Sequence, residues 1–207
     1  MKKLIILFGF LFLFGLMLSA CSLHSDSLSV SAKGPVYDRQ AMVDLMDQYL
    51  AALVNHDPSA VPLADNVKLV QNIKPTPIGE GLWKTASKLP SDFKIYVTDP
   101  EGERIGFMGV MESDGKPVLL GARLKLENGK ITEIDHMVSP AVSAMAGNTI
   151  PEGLKKPRPA LVEKLMEYEK TPREEMLKAA LAYYPSLELN DGSAAPFANE
   201  CQRTRTA

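Results

Sequence analysis

At 207 residues, with 23 basic against 25 acidic side chains and a formal charge of −2, the chain lacks the positive excess of a nucleic-acid-binding protein. Two cysteines and three histidines, without HxxxH or CxxC spacing, give no metal-binding pattern. The length suits one domain of about 100 residues plus an extension.

In chain order, the first segment reads as an export signal. Lys2 and Lys3 precede an apolar run, Leu4 to Met17, and Leu18-Ser19-Ala20 supplies small residues before Cys21. The run is about 14 residues, short of the roughly 20 needed to cross a bilayer core. This pattern resembles the bacterial lipoprotein signal, which implies cleavage after residue 20 and lipid on Cys21; an uncleaved anchor or an ordinary secretory signal is the alternative. Acyl chains at Cys21 imply a membrane as partner and the bacterial cell envelope as location. Ser22 after the cysteine favours the outer membrane in a Gram-negative cell. Lipidation would leave Cys201 as the one other cysteine, with no internal disulfide. Residues 21–35, rich in serine, read as a flexible tether.

A module is expected over 36–139. Asp38 is placed to cap a helix from Arg39 to about Asn55, along which Met42, Leu45, Met46, Tyr49, Leu50 and Leu53 form one apolar stripe. Asp57-Pro58 ends it, and Ser59 to Leu63 makes a turn or short helix. Asn66–Ile73 predicts a strand, Lys74 to Pro77 breaks it, and Gly79 to Leu89 reads as a loop with a short helix around Trp83. Four strands follow: Phe93–Thr98, Ile105–Glu112, Pro117–Glu127 and Lys130–Val138. Asp99–Gly102, Ser113–Gly115 and Asn128-Gly129 are the turn signals between them. Helices first and a meander afterwards define an α+β class, with a cone-like curved antiparallel sheet packed on N-terminal helices.

Residues 140–171, with several prolines and Lys155-Lys-Pro-Arg158, suit a linker, with a short charged helix over Leu161–Glu169. Thr171-Pro172 predicts the cap and first residue of a further helix running to about Leu187. That helix repeats the first one at a constant offset. Arg39, Met42, Tyr49, Leu53, Asp57, Ser59 and Pro62 recur as Arg173, Met176, Tyr183, Leu187, Asp191, Ser193 and Pro196. Residues 172–207 therefore read as the incomplete start of a second module. Its apolar surface would pack on the first module, dock on another chain, or belong to a natural protein whose reading frame runs further. The last of these is the expectation.

The element order, with Asn128-Gly-Lys-Ile-Thr-Glu-Ile134 in the last hairpin and Gln48 to Asp57 at the first helix end, resembles the nuclear transport factor 2-like (SnoaL-like) superfamily over residues 37–139. It is similar also to secreted proteins of that class known only as a domain of unknown function, often with two modules in tandem. In those, Gly79–Ala86 and the turn after Asp57 have counterparts. The resemblance implies a cone around one apolar pocket and admits isomerases, dehydratases, epoxide hydrolases, lyases and plain binding proteins, so fold does not select a reaction. Against the ketosteroid isomerases of the superfamily, Tyr49 falls at the oxyanion-hole tyrosine. Gln71 falls at the aspartate base, and Ala122 at the protonated aspartate. Without either carboxyl the proton shuttle is lost, and that activity is excluded.

The candidate site residues are then His136, Tyr49, Arg123, Trp83 and Glu80. His136 shares a strand face with Ile134 and Val138 and is the best placed proton-transfer group. Tyr49 would stabilise an oxyanion, although its recurrence as Tyr183 argues for a packing role. Arg123 would clamp a carboxylate if its face lines the cone, and does nothing special if that face meets solvent. Trp83 would wall a ligand site at the pocket mouth, and Glu80 beside it would act as acid or base or simply be solvated. No cofactor and no metal are implied. Two functions remain: a cofactor-independent lyase, dehydratase or isomerase acting on a small aromatic or apolar molecule, or a non-catalytic lipoprotein that binds a ligand or another protein, a second copy included. Entry of both His136 and Arg123 into one pocket would favour the enzyme; filling by Met108, Met111, Leu124 and Met137 would favour the binding protein.

Overall fold

The computed structural model describes residues 37–142 and 149–198. The export signal, the tether, Cys21 and Cys201 lie outside them.

The first helix, α1 (Arg39–Val54), starts where Asp38 accepts a hydrogen bond from the Ala41 N–H at 2.8 Å. Its apolar stripe is buried along its whole length: Met42, Leu45, Met46, Tyr49, Leu50 and Leu53 all face the core. At about 1.5–3 kcal/mol for each large apolar side chain taken fully out of water, this stripe holds the helix in place. A 3₁₀ turn, Pro58–Ala60, leads into the sheet, with Asp57 accepting from the backbone and hydroxyl of Ser59.

The sheet strands are β1 (Leu63–Gln71), β2 (Lys74–Pro75), β3 (Ala86–Lys88), β4 (Lys94–Asp99), β5 (Arg104–Ser113), β6 (Lys116–Glu127) and β7 (Lys130–Pro140). Their order is β2-β1-β7-β6-β5-β3, and β4 adds to the outer edge of β5 beside β3. The meander β4 to β7 is antiparallel as expected, but β1 runs parallel to β7, so the sheet is mixed. Strict alternation sorts the two faces. Leu120, Ala122, Leu124 and Leu126 of β6 turn inward, and Arg123 and Lys125 turn outward. A register shift between Lys125 and Leu126 lets Ile131 and Ile134, three residues apart, both point inward. Such a bulge bends the sheet, and here the bend curls it over α1.

Several boundaries differ from expectation. Asn72 and Ile73, read as the end of a strand, have left-handed φ of 48° and 62° and form the turn into β2. The loop around Trp83 contains α2 (Leu82–Thr85) and also β3, a strand too short to show alternation. The helix expected over Leu161–Glu169 is instead a four-residue α3 (Pro159–Val162) and a separate turn, Glu167–Glu169; no residue of that span is buried, so nothing rewards a continuous helix. The last helix, α4 (Arg173–Glu188), lacks the Thr171 cap: Pro172 is the capping residue, and no side chain bonds the first turn.

Candidate functional site

Tyr49, on the third turn of α1, and His136, on the inner face of β7, meet across the core. The Tyr49 hydroxyl and the His136 Nε2 lie 2.8 Å apart, and both residues are essentially without solvent contact. Trp83 closes over them, its ring edge-on to Tyr49 at 5.4 Å between centroids and 86° between planes. His136 stands in one row across the sheet, between Gln71 on β1 and Ala122 on β6, with Phe107 and Tyr96 beyond.

Two polar atoms in this cluster, His136 Nδ1 and Trp83 Nε1, are buried without a hydrogen-bond partner among the described residues. If the Tyr49 O–H donates to Nε2, then Nδ1 carries the proton and lacks an acceptor. In the other tautomer Nε2–H donates to the Tyr49 oxygen, and both the Tyr49 O–H and the Nδ1 lone pair stay open. An unmet buried polar group costs about 1–3 kcal/mol, so this arrangement is expensive as packing alone. Burial lowers the His136 pKa from 6.5 to about 4, against an opposing pull from Asp135, so the imidazole is neutral at physiological pH. Burial raises the Tyr49 hydroxyl well above its ordinary value; the nearby Trp83 indole N–H works the other way, short of hydrogen-bond geometry.

The placement of Trp83 rests on residues that the chain order does not advertise. Gln71 Oε1 accepts the Leu82 N–H at 2.9 Å and so caps the segment that carries the indole. Gly81, at φ 62° and ψ −127°, brings its backbone so close that a Cβ would stand 2.7 Å from that oxygen. From the other side His56, itself left-handed, donates its Nδ1–H to the Trp83 carbonyl at 2.6 Å. Asn72 fastens the far edge: its side chain donates to the Val138 carbonyl and accepts the Val138 N–H, and its own N–H donates to the His136 carbonyl. None of these appears among the sequence candidates, because each works through a partner distant in the chain. Gln71, which cannot act as the base of an isomerase, is here a positioning residue.

Arg123 and Glu80 do not join the cluster. Arg123 lies on the outer sheet face, where its guanidinium donates to Asp135 at 2.6 Å and to Glu133 at 2.8 Å. The alternation that sends Ala122 inward sends Arg123 out, and the carboxylate-clamp reading is replaced by a surface ion-pair network that includes Lys125. Glu80 pairs with Lys84 one turn along, with about half its side chain in solvent. Trp83 is not at a pocket mouth but fully buried. Of the residues whose filling of the cone would favour a binding protein, Met111 and Leu124 are buried, whereas Met108 and Met137 are exposed. Two cavities lie elsewhere. One of about 670 Å³ runs along α4, and one of about 330 Å³ sits among Ser91, Asp92, Ile150 and Leu154. Neither is lined by Tyr49, Trp83 or His136. Among the described residues no three His, Cys, Asp or Glu side chains converge as a metal would require.

These features define an α+β module whose curved sheet closes over a helix and buries a tyrosine–histidine pair. The chain belongs to the family described as "Domain of unknown function (DUF8021)", whose model matches residues 36–138 and again 169–206. Among solved structures it is similar to an NTF2-like protein of unknown function from Cytophaga hutchinsonii, at 17% identity over 47% of this chain and 89% of that one, with a TM-score of 0.38. It is similar likewise to an NTF2-like protein from Burkholderia xenovorans, at 14% identity over 53% and 96%, with a TM-score of 0.39. A third is PrhC from Penicillium brasilianum, at 14% identity over 49% and 82%, with a TM-score of 0.39. No curated protein matches the chain.

Proposed function

We propose that this protein is an exported lipoprotein, held to a membrane of the bacterial envelope through Cys21, whose module binds a small apolar or aromatic molecule at Tyr49, Trp83 and His136. The observation that carries the binding reading is the pair of unmet polar atoms, His136 Nδ1 and Trp83 Nε1, beside a hydrogen-bonded tyrosine in an otherwise apolar core. A mostly apolar ligand with one or two hydrogen-bonding atoms would satisfy them while keeping water out. The cluster is closed, so entry requires the segment Gly79–Thr85 to lift with Trp83. Gly79 and Gly81, both at positive φ, lie at the start of that segment, and its far end runs directly into β3 at Ala86.

Binding is better supported than turnover. Among the described residues no carboxylate or cation hydrogen-bonds to Tyr49, Trp83 or His136, and the two charged candidates, Arg123 and Glu80, make ion pairs outside the cluster. A cofactor-independent lyase, dehydratase or isomerase is the second reading. It is favoured by the pairing itself: in the tautomer whose Nε2–H donates to the Tyr49 oxygen, the Nδ1 lone pair is open to a proton and the Tyr49 O–H to a developing oxyanion.

The test is incubation of the purified protein with a panel of aromatic and ketone compounds, read by thermal shift and mass spectrometry. A shift that His136→Phe abolishes supports the site. Product in the mass spectrum that Tyr49→Phe abolishes supports the enzyme. No shift and no product across a broad panel count against both. For the anchor, metabolic labelling with a fatty acid should mark the wild type and leave Cys21→Ser unlabelled; equal labelling of both would contradict it.

A further inference from the structure

The Tyr49–His136 hydrogen bond has a preferred direction. When the Tyr49 O–H donates to His136 Nε2, two buried groups stay without a partner among the described residues, His136 Nδ1–H and Trp83 Nε1–H. When Nε2–H donates instead, three do: the Tyr49 O–H, the Nδ1 lone pair and again Trp83 Nε1–H. Each unmet buried group is a cost, so the first arrangement prevails. The imidazolium, with a proton on both nitrogens, is disfavoured by the burial that lowers the His136 pKa from 6.5 to about 4.

In that arrangement the cluster offers donors and holds back its acceptors. Gln71, the neighbour of His136 across the β1–β7 pair, spends its Oε1 on the Leu82 N–H at 2.9 Å. The Tyr49 oxygen, the remaining lone-pair site of the three rings, has the Trp83 indole N–H close by, pulling its pKa down against burial. Around them the inner face is apolar, with Phe107, Ala122, Leu124 and Ile134 all buried. Arg123, the candidate cation for a carboxylate, is bonded to Asp135 and Glu133 on the outer face. A guest that brings an O–H, an N–H or a charge would therefore bury it unmet. A carbonyl oxygen brings two lone pairs and no proton.

We propose that the site takes neutral aromatic carbonyl compounds, guests that accept hydrogen bonds and donate none, and turns away the matching alcohols and carboxylates. This ligand chemistry rests on the reading of Tyr49, Trp83 and His136 as a binding site. His136 Nδ1–H donates to the carbonyl oxygen; an alcohol in the same place accepts that bond but leaves its own O–H unmet. An aromatic body suits walls that already pack ring against ring, Trp83 on Tyr49 and Phe107 on Tyr96.

Two measurements on the purified full chain test it. A ¹⁵N–¹H correlation of the histidine rings without ligand should show the His136 proton on Nδ1 and a bare Nε2. The signal is assigned by its absence from His136→Phe, or by its persistence in His24→Gln and His56→Gln if the first variant does not fold. A proton on Nε2 with a bare Nδ1 overturns the proposal, leaves the binding site standing and favours the enzyme reading. Acetophenone, α-tetralone and fluorenone, each paired with its alcohol, are then titrated against the same His136 signals, with benzoate beside them. In every pair that binds, the ketone should bind at least about tenfold tighter, the equivalent of about 1.4 kcal/mol. A smaller margin overturns the proposal alone, as does benzoate binding as tightly as acetophenone. If no member of any pair moves those signals at about 1 mM, the binding-site reading falls and this proposal with it.

Discussion

The buried imidazole makes stability depend on pH in a stated direction. The His136 pKa is lowered from 6.5 to about 4 by burial, so between those values the unfolded chain binds a proton at this residue that the folded chain does not. Stability therefore rises with pH across that window and is lost as pH falls through it. At roughly 1.4 kcal/mol per pKa unit the full difference is about 3 kcal/mol, a large part of a domain's net stability. Replacing the imidazole by the apolar ring in His136→Phe removes this dependence and leaves one unmet Tyr49 hydroxyl, a constant cost of about 1–3 kcal/mol. Urea unfolding at several pH values from 4 to 7 measures both proteins, followed by the fluorescence of Trp83, the one tryptophan in the chain and part of the same cluster. The variant's stability should be flatter with pH, by up to about 3 kcal/mol between the ends of the window. Glu133, held at about 2 by Arg123 and Lys125 against 4.5 in the unfolded chain, adds its own pH dependence at the lower end of the window, but equally in both proteins, so it cancels in the comparison. Equal pH dependence in the two proteins would refute the reasoning.

Three further outcomes follow from the same geometry. Tyr49→Phe should cost about 1–3 kcal/mol by leaving His136 with no partner, whereas the double variant with His136→Phe should cost less than the sum; strict additivity in a double-mutant cycle would deny the hydrogen bond. Gly81→Ala should destabilise by about 1–3 kcal/mol, because its φ and ψ are open to glycine alone and the new Cβ meets Gln71; a stability within about 0.5 kcal/mol of wild type in the same unfolding assay would contradict that contact. Arg123→Ala should change stability by no more than about 1 kcal/mol and leave ligand response intact, since its partners are on the outer face; loss of a thermal shift would return Arg123 to the site.

Local chemistry was legible wherever one element decides the outcome. The stripe on α1 ran at helical spacing, and its every expected member is buried. Asn128-Gly129 and Asp114-Gly115 adopt the left-handed turns that such pairs favour. The alternation along β6 was legible too, but a period of two names two faces without saying which is inside; the core that Ala122 and Leu124 share with the α1 stripe chose for Arg123. Trp83 and its supports were not legible. Its burial depends on Gln71, Gly81 and His56 meeting from three segments, and no spacing in the chain encodes that meeting. The parallel pairing of β1 with β7 escaped for the same reason, being a contact between the start and end of the module. The repeat at α4 was plain from identities alone, yet nothing in those identities says that Met176, Tyr184 and Leu187 stand exposed where Met42, Leu50 and Leu53 are buried.

The proposed binding site stands or falls with His136 as a ligand contact. The direct measurement is the ¹⁵N resonances of the His136 ring, recorded with and without whichever compound of the panel raises the melting temperature. Binding at the cluster predicts a large change at Nδ1, the atom without a partner among the described residues, and no comparable change at His56. A compound that binds and stabilises while the His136 ring nitrogens keep their positions would contradict the claim.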